Sequence, residues 1–200
     1  MAAIEKLCSK AILMMNGGIN SIGNTSNVVS NYLDTTEKDK SFAKELSKPQ
    51  NMNSWLEKIS LLINDAPSGI MMYGDRLSIN FKFSSLEGLT KPSIGIVISS
   101  QRGEAIINTN NQYMPSPEYS NVVTSGQIQC DLGEIPLMEG RYSVSVWFGE
   151  NSNSHHKYFD NVIYFDVIAK EIWGQGNLPT KNISNLWWPS RFKLSKYAEK

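Results

Sequence analysis

The chain lacks an excess of charge of either sign, because 19 Lys and Arg balance 19 Asp and Glu among its 200 residues. Proteins that bind nucleic acid through its phosphates carry a basic surface, and this composition offers none. A polybasic membrane tether is equally unsupported. We therefore expect no nucleic acid among the partners of this protein.

Long hydrophobic runs are missing as well. Apolar stretches such as residues 94–98 fall far short of the roughly 20 residues that a membrane-spanning helix needs. The N-terminus shows no basic segment followed by an apolar one and a cleavage site, so no secretion signal is predicted. The sequence thus predicts a cytoplasmic protein.

Cysteine and histidine are scarce, with two of each, and this limits the available chemistry. Cys8 and Cys130 are too far apart to indicate a metal knuckle or a disulfide framework, and we interpret both as small buried residues. His155 and His156 are adjacent in a polar stretch that predicts a solvated hairpin loop, without a carboxylate to orient either ring. A phosphate-binding loop is absent. The sequence predicts no catalytic residue, no metal site and no cofactor.

The N-terminal part of the chain reads as a small α/β unit followed by a linker. Turn-forming residues at 16–18 separate two apolar segments, and residues 24–26 can cap a helix. Residues 34–54 are charged and polar, which predicts a linker with at most one short helix. Within residues 1–33 the predicted elements are a helix at 2–10, strands at 11–15 and 19–22, and a helix at 27–33.

From Trp55 onward the hydrophobic period changes to two. In the clearest case Leu77, Ile79, Phe81 and Phe83 alternate with polar residues. The pattern favours an all-β fold, an antiparallel two-sheet β-sandwich of immunoglobulin-like or jelly-roll type over residues 55–200, with an aromatic tail from 171. About eight strands are predicted, at residues 58–63, 70–72, 77–83, 94–98, 104–108, 127–132, 142–148 and 161–168.

The polar sides of these strands predict a binding surface. Amides and carboxylates can bind paired hydroxyl groups, and an indole can cover the apolar side of a sugar ring. Trp147 stands out because an indole on a polar strand face is exposed unless something covers it. The predicted carbohydrate-binding residues are Trp147, Gln127, Gln129, Asn80, Asp131 and Ser145. A slip of one residue in strand register would invert these assignments.

Residues 1–33 contain a series of short segments in a characteristic order. The segments are LCSKA at 7–11, ILMM at 12–15, NGGI at 16–19, Gly23 and VVSNY at 28–32. They resemble the end of the nucleotide-binding domain of an ABC transporter, where a Leu-Cys-x-x-Ala motif precedes an apolar strand, a glycine turn, a second strand and a helix that ends in Tyr.

The remainder of the chain contains an ordered series of motifs across about residues 55–190. The motifs are GDRLSI at 74–79, KPSIGI at 91–96, Arg102 with Gly103, Gly126, IPL at 135–137, GRYSVS at 140–145, and Asp160 ahead of FDV at 165–167. In this order they resemble the C-terminal domain of Wzt-type ATPase subunits, which export O-antigen and related polysaccharides.

This resemblance implies a non-catalytic module that binds an exported, undecaprenyl-linked polysaccharide. It also implies an ABC transporter permease as partner, a homodimer, and a place in the cytoplasm beside the inner membrane. Walker A, Walker B, the signature motif and the switch histidine are missing from these residues, so we expect no ATP hydrolysis. We further expect the chain to be a shortened or split form of a longer subunit.

Two other functions stay open at this level. The module could instead assemble the exporter as a dimer without touching glycan, with Trp173, Trp187 and Trp188 of the tail as interface anchors. A β-sandwich glycoside hydrolase would need two carboxylates across a cleft. Candidates for such a pair are Glu104, Asp131, Glu134 and Asp166.

Overall fold

The computed structural model describes residues 4, 7–36, 41–50, 52–113, 122–150, 156–171, 176, 178 and 184–195. It contains a hairpin with a helix near the N-terminus and two five-stranded sheets. Within this part of the chain, no helix has the length and apolar character needed to cross a membrane.

The N-terminal unit consists of β1 (Lys10–Met15), β2 (Gly18–Asn24) and α1 (Thr25–Thr36). Asn16 and Gly17 both have positive φ, as a tight two-residue hairpin turn requires. Leu13, Val28 and Val29 are buried between hairpin and helix. The predicted order is confirmed for these elements. Of the helix predicted at 2–10, residues 2, 3, 5 and 6 lie outside the described residues, and its predicted end is wrong because Lys10 begins β1.

The first sheet contains five antiparallel strands. They are β3 (Ala43–Glu45), β4 (Ser54–Ile63), β5 (Ala66–Pro67), β7 (Arg76–Leu89) and β10 (Val123–Glu134). Four follow the order β10-β7-β4-β3, and β5 pairs with β4.

The second sheet contains β6 (Ile70–Met72), β8 (Pro92–Ser100), β9 (Ala105–Asn110), β11 (Gly140–Glu150) and β12 (Lys157–Ile168). Their order in the sheet is β6-β12-β11-β8-β9. All pairs are antiparallel except β6 with β12, which are parallel over three residues. The antiparallel two-sheet sandwich is therefore confirmed, with this short parallel pair as the exception.

The core lies between the two sheets, where the period-two pattern places its apolar side chains. Ile79 and Phe81 of β7 are fully buried, as are Val144 of β11 and Ile98 of β8. Phe83 of the first sheet and Phe148 of the second approach with ring centroids 5.5 Å apart, which joins the two layers. Burial of this many large side chains dominates the free energy of folding.

The segment predicted as a linker contributes to the sandwich. Ala43, Lys44 and Glu45 form β3, which pairs with residues 58–60 of β4. The interpretation of residues 34–54 as a linker is therefore wrong at residues 43–45, because a three-residue strand carries no periodicity of its own and is fixed by its partner. Lys58 and Glu45 also form an ion pair at 2.7 Å.

Part of the C-terminal tail packs on the same sandwich. Leu186 forms an isolated β-bridge with Leu137, and Trp187 donates its backbone N–H to the Pro136 carbonyl at 2.9 Å. The Trp187 ring lies 5.8 Å from that of Tyr73. Trp187 is thus half-buried within its own chain, while Trp173 lies outside the described residues.

Replacing Tyr142 with Phe should lower the free energy of unfolding by about 1–2 kcal/mol. The buried Tyr142 hydroxyl donates to the Met138 carbonyl at 2.7 Å, and Phe would leave that carbonyl without its donor. Urea titration of both proteins measures the change. Tyr113→Phe is the matched control because Tyr113 is 84% exposed. Equal stability of Tyr142→Phe and the parent would contradict a contribution from this bond.

Candidate functional site

The six predicted binding residues lie on two different faces of the sandwich. The strands that carry them are β7 and β10 of the first sheet and β11 of the second. Because the core separates the outer faces of the two sheets, the six residues cannot form the single site that the sequence predicts. Asn80, Gln127, Gln129 and Asp131 lie on the first sheet, and Ser145 and Trp147 on the second.

The outer face of the first sheet around these four residues, which we call the polar face, satisfies much of its own hydrogen bonding. Asp131 accepts bonds from the Gly133 backbone N–H at 2.9 Å and from Arg76 Nη2 at 2.7 Å. The Gly133 bond and then the Arg76 guanidinium hold the pKa of the Asp131 carboxyl below its usual range. Asp131 is therefore engaged within its own chain.

The neighbouring groups of the polar face are paired in the same way. Glu57 accepts from the Ser84 hydroxyl at 2.5 Å and pairs with Lys82 Nζ at 2.9 Å. These two contacts, in that order, lower the pKa of Glu57. The ring of Trp55, which lies opposite Ser84, has Lys48 Nζ 4.5 Å from its centroid. The Trp55 ring is thus partly covered.

Asn80 and Gln129 lie directly opposite each other at the centre of the polar face. Gln127 and Gln129 are exposed, whereas Oδ1 of Asn80 is buried and finds no hydrogen-bond partner among the described residues. The structure therefore brings Asn80, Gln127, Gln129 and Asp131 together, as neighbours on paired strands.

Ser145 and Trp147 lie on β11 with one residue between them. Ser145 Oγ accepts the backbone N–H of Asn161 at 2.9 Å. Asn161 has a φ of 46° and lies where the β11–β12 register shifts, so this bond holds a bulge in β12. Ser145 consequently has a structural partner close to Trp147.

The Trp147 indole lies against Gly95, its opposite residue on β8. A Cβ atom placed on Gly95 would lie 2.0 Å from Nε1 of Trp147, so only glycine allows the ring to approach the sheet this closely. The absence of a side chain at Gly95 therefore determines where the Trp147 indole lies on the outer face of the second sheet.

Two aromatic side chains flank this indole. Tyr158 lies directly opposite Trp147 on β12 and is 70% exposed. The His156 ring meets Trp147 edge-on, with centroids 4.6 Å apart. His156 is thus packed against the indole rather than solvated, which corrects the prediction for that residue; His155 lies outside the described residues.

Amide side chains complete the surface around Trp147, which we call the aromatic face. Asn110 of β9 lies opposite Gly95, and Asn108 lies opposite Val97. Oδ1 of Asn110 accepts the Gln112 N–H at 3.0 Å, which orients that amide. The aromatic face therefore combines Tyr158 of β12, Trp147 of β11 and two asparagines of β9, with Gly95 of β8 between Trp147 and the asparagines.

Sequence reasoning missed Tyr158, Gly95, Asn108, Asn110 and the packing of His156. The last strand was predicted to start at residue 161, but it starts at Lys157, and Tyr158 alternates correctly with Phe159 once the strand is extended. Similarly, β9 continues to Asn110 rather than ending at 108. Gly95 between two buried isoleucines was a usable signal, because glycine in a strand often marks a close approach.

The remaining reactive groups are dispersed. No cluster of three or more His, Cys, Asp or Glu in the described part of the chain could hold a metal ion. Cys8 is exposed, which corrects its prediction as buried, and burial raises the pKa of the Cys130 thiol. Among the carboxylates considered for a glycoside hydrolase, Asp131 and Asp166 lie on different sheets. Glu104 accepts a hydrogen bond from the Asn185 side chain at 2.9 Å.

Comparisons with known proteins converge on one family. The model of the Wzt C-terminal domain matches residues 56–178, which is more than half of the chain. The crystal structure of the C-terminal domain of Wzt is similar with a TM-score of 0.56 at 12% sequence identity, over 76% of this chain and 93% of that one. No match is found among the curated proteins. From the family match, this protein belongs to the Wzt C-terminal domain family.

Proposed function

We propose that this protein is a non-catalytic module that binds an exported polysaccharide through its aromatic face. A weak sugar site on a transporter subunit raises the local concentration of the correct glycan at the export machinery. The module would act in the cytoplasm beside the permease, at the inner membrane. Membership of the Wzt C-terminal domain family supports a role in an O-antigen ABC transporter.

The observation that carries this proposal is the indole held against Gly95 beside an exposed Tyr158. Pyranose rings present a face of C–H groups that packs on an aromatic ring, and a ring fixed in advance loses little conformational entropy on binding. The Gly95 contact orients the Trp147 ring before any ligand arrives. This fixed, half-buried ring supports the aromatic face as the place where a sugar would stack.

The polar groups on the aromatic face suit a hydroxyl-rich ligand. Asn108 is exposed on β9, two strands from Trp147, and the Asn110 amide is oriented because its Oδ1 accepts the backbone N–H groups of Gln112 and Tyr113. Amides both donate and accept, as sugar hydroxyls do. Nε2 of His156 is buried without a partner among the described residues, so it does not present a polar atom to a ligand.

The polar face is the weaker candidate for the same ligand. Asp131, Glu57, Lys82 and Arg76 are committed to one another or to the backbone. A sugar would have to replace these bonds rather than add to them, which reduces the net gain on binding. Gln127 and Gln129 remain the exposed groups that could contribute there.

Trp147→Ala should weaken binding of the host's surface polysaccharide at least tenfold, or about 1.4 kcal/mol, because the stacking platform is removed. Isothermal titration of the full chain measures the affinity, with an unrelated polysaccharide as the specificity control. Trp188→Ala is the matched variant, since Trp188 is 77% exposed and lies outside the aromatic face. An unchanged affinity of Trp147→Ala, or a loss in Asn80→Ala with Gln129→Ala instead, would refute this placement.

Gly95→Ala should reduce the affinity in the same titration although it touches no ligand. The added Cβ would lie 2.0 Å from the indole, so the ring must move away from its position. Gly18→Ala is the matched control, because a Cβ there meets its nearest neighbour at 3.7 Å. Near-UV circular dichroism should report the moved indole, and wild-type affinity in Gly95→Ala would argue against preorganisation.

A second candidate function, assembly of the exporter without glycan contact, is favoured by the free edge of β10. This strand is 12 residues long and, among the described residues, pairs with β7 alone. It contains neither Lys nor Pro, the residues that commonly protect an edge. Two copies could pair their β10 strands antiparallel around a two-fold axis.

In that case the double variant Gln127→Lys with Gln129→Lys should shift a dimer to monomer. Both side chains are exposed, so the fold is spared, while the added charges approach their copies across the axis. Sedimentation velocity over a concentration series measures the change, and circular dichroism checks the fold. A monomer in the parent at every concentration would exclude this second function.

A further inference from the structure

The last strand of the second sheet, β12, contains a bulge beside Trp147. One residue of β11 separates Val144 from Val146, whereas their partners in β12 are separated by three residues, 160–162. The single residue of β11 that faces this bulge is Ser145. A bulge changes the direction of the side chains that it carries and often lies next to a binding site.

Ser145 holds the backbone of this bulge on the outer face of the sheet. Its side chain lies on the same side of β11 as that of Trp147, because the two residues are two positions apart in a strand that pairs regularly with β8. Ser145 Oγ accepts the Asn161 N–H at 2.9 Å, and Asn161 has a φ of 46°. The bulge therefore belongs to the aromatic face, with Asp160 between Tyr158 and Asn161.

Asp160 and Asn161 have polar side chains that the fold does not use. Both residues are exposed, and neither side chain forms a hydrogen bond or an ion pair with another described residue. Asp166, the other carboxylate among the described side chains of this sheet, lies 3.7 Å from Arg141 in an ion pair. Asp160 thus keeps its full capacity to accept hydrogen bonds, two residues along β12 from the exposed Tyr158.

A free carboxylate beside an aromatic platform favours one chemical class of ligand. A carboxylate only accepts hydrogen bonds, and its two oxygens can bind a pair of adjacent hydroxyl groups that both donate. Hydrogen bonds to a charged acceptor are stronger than those between neutral groups. The same negative charge disfavours an acidic sugar in that position. The combination therefore suits a neutral sugar residue.

We propose that Asp160 is the specificity-determining residue of the aromatic face and selects a neutral sugar residue with two adjacent free hydroxyl groups. This inference rests on the glycan binding proposed above. The sugar ring stacks on Trp147, and the hydroxyl groups at its edge donate to Asp160. Two residues of β12, or roughly 7 Å, separate Asp160 from Tyr158, the neighbour of Trp147, so one sugar residue can contact the platform and the carboxylate together.

Asp160→Asn should weaken binding of the host's surface polysaccharide at least tenfold in isothermal titration of the full chain. The amide has the same shape but replaces one of the two accepting oxygens by a donor. Asp65→Asn is the matched control, because Asp65 is exposed in the turn between β4 and β5 of the first sheet. The urea midpoint should stay unchanged in both variants, since the bond between Asn161 and Ser145 uses the backbone N–H.

The polysaccharide itself provides a second arm of the test. Periodate cleaves the bond between two carbons that carry adjacent hydroxyl groups, so periodate treatment followed by borohydride should abolish binding by the parent chain. Polysaccharide treated with borohydride alone is the control. Binding that survives periodate treatment would overturn the selection of adjacent hydroxyl groups.

The titrations separate failure of this inference from failure of the proposed function. Unchanged affinity in Asp160→Asn together with loss in Trp147→Ala would overturn the role of Asp160 and leave glycan binding at the aromatic face in place. Tighter binding by Asp160→Asn would show that an acidic sugar is bound, which also overturns the selection. Parent affinity in Trp147→Ala would refute the proposed function and this inference with it.

Discussion

Alternation of side chains across each strand is the constraint on which the other features of this protein depend. Every second residue of the long strands must be apolar to fill the space between the sheets. Polar and aromatic side chains that do not belong to the core therefore lie on one of the two outer faces. Those faces are separated by the full core, so no residue of one can assist a residue of the other.

The two outer faces differ in how far their groups are already satisfied. On the polar face, carboxylates and cations are paired across strands, which stabilises the sheet but leaves little bonding capacity. On the aromatic face, Gly95 has no side chain, and the Trp147 indole occupies the space where one would lie. A site for a ligand needs groups that the protein has oriented but not consumed, and the aromatic face meets that condition better.

Local patterns predicted much of this fold. The strict alternation at Leu77–Phe83 and along residues 142–148 identified strands that the structure confirms, and the hairpin of the N-terminal unit followed from its turn residues. Elements that depend on a partner were missed: β3 is set by β4, and the parallel pairing of β6 is set by β12. A three-residue strand has too few residues to show a period.

The candidate site was predictable only in part, because it depends on which strands become neighbours. Trp147 was identified from its own strand, but its contact with Gly95 arises from the pairing of β11 with β8, which no local pattern reveals. The division of the six residues between two sheets has the same origin. Tyr158 was missed through a boundary error of four residues at the start of β12.

The most direct measurement of glycan recognition at the aromatic face is a ¹H–¹⁵N spectrum of the labelled chain during titration with the host polysaccharide. The indole Nε1–H of Trp147 and the backbone amide of Gly95 should shift with saturation, together with those of Asn108 and Tyr158. The backbone amide resonances of Gln127 and Gln129 should keep their chemical shifts. Saturable shifts confined to the polar face, or none anywhere in a folded protein, would contradict binding at Trp147.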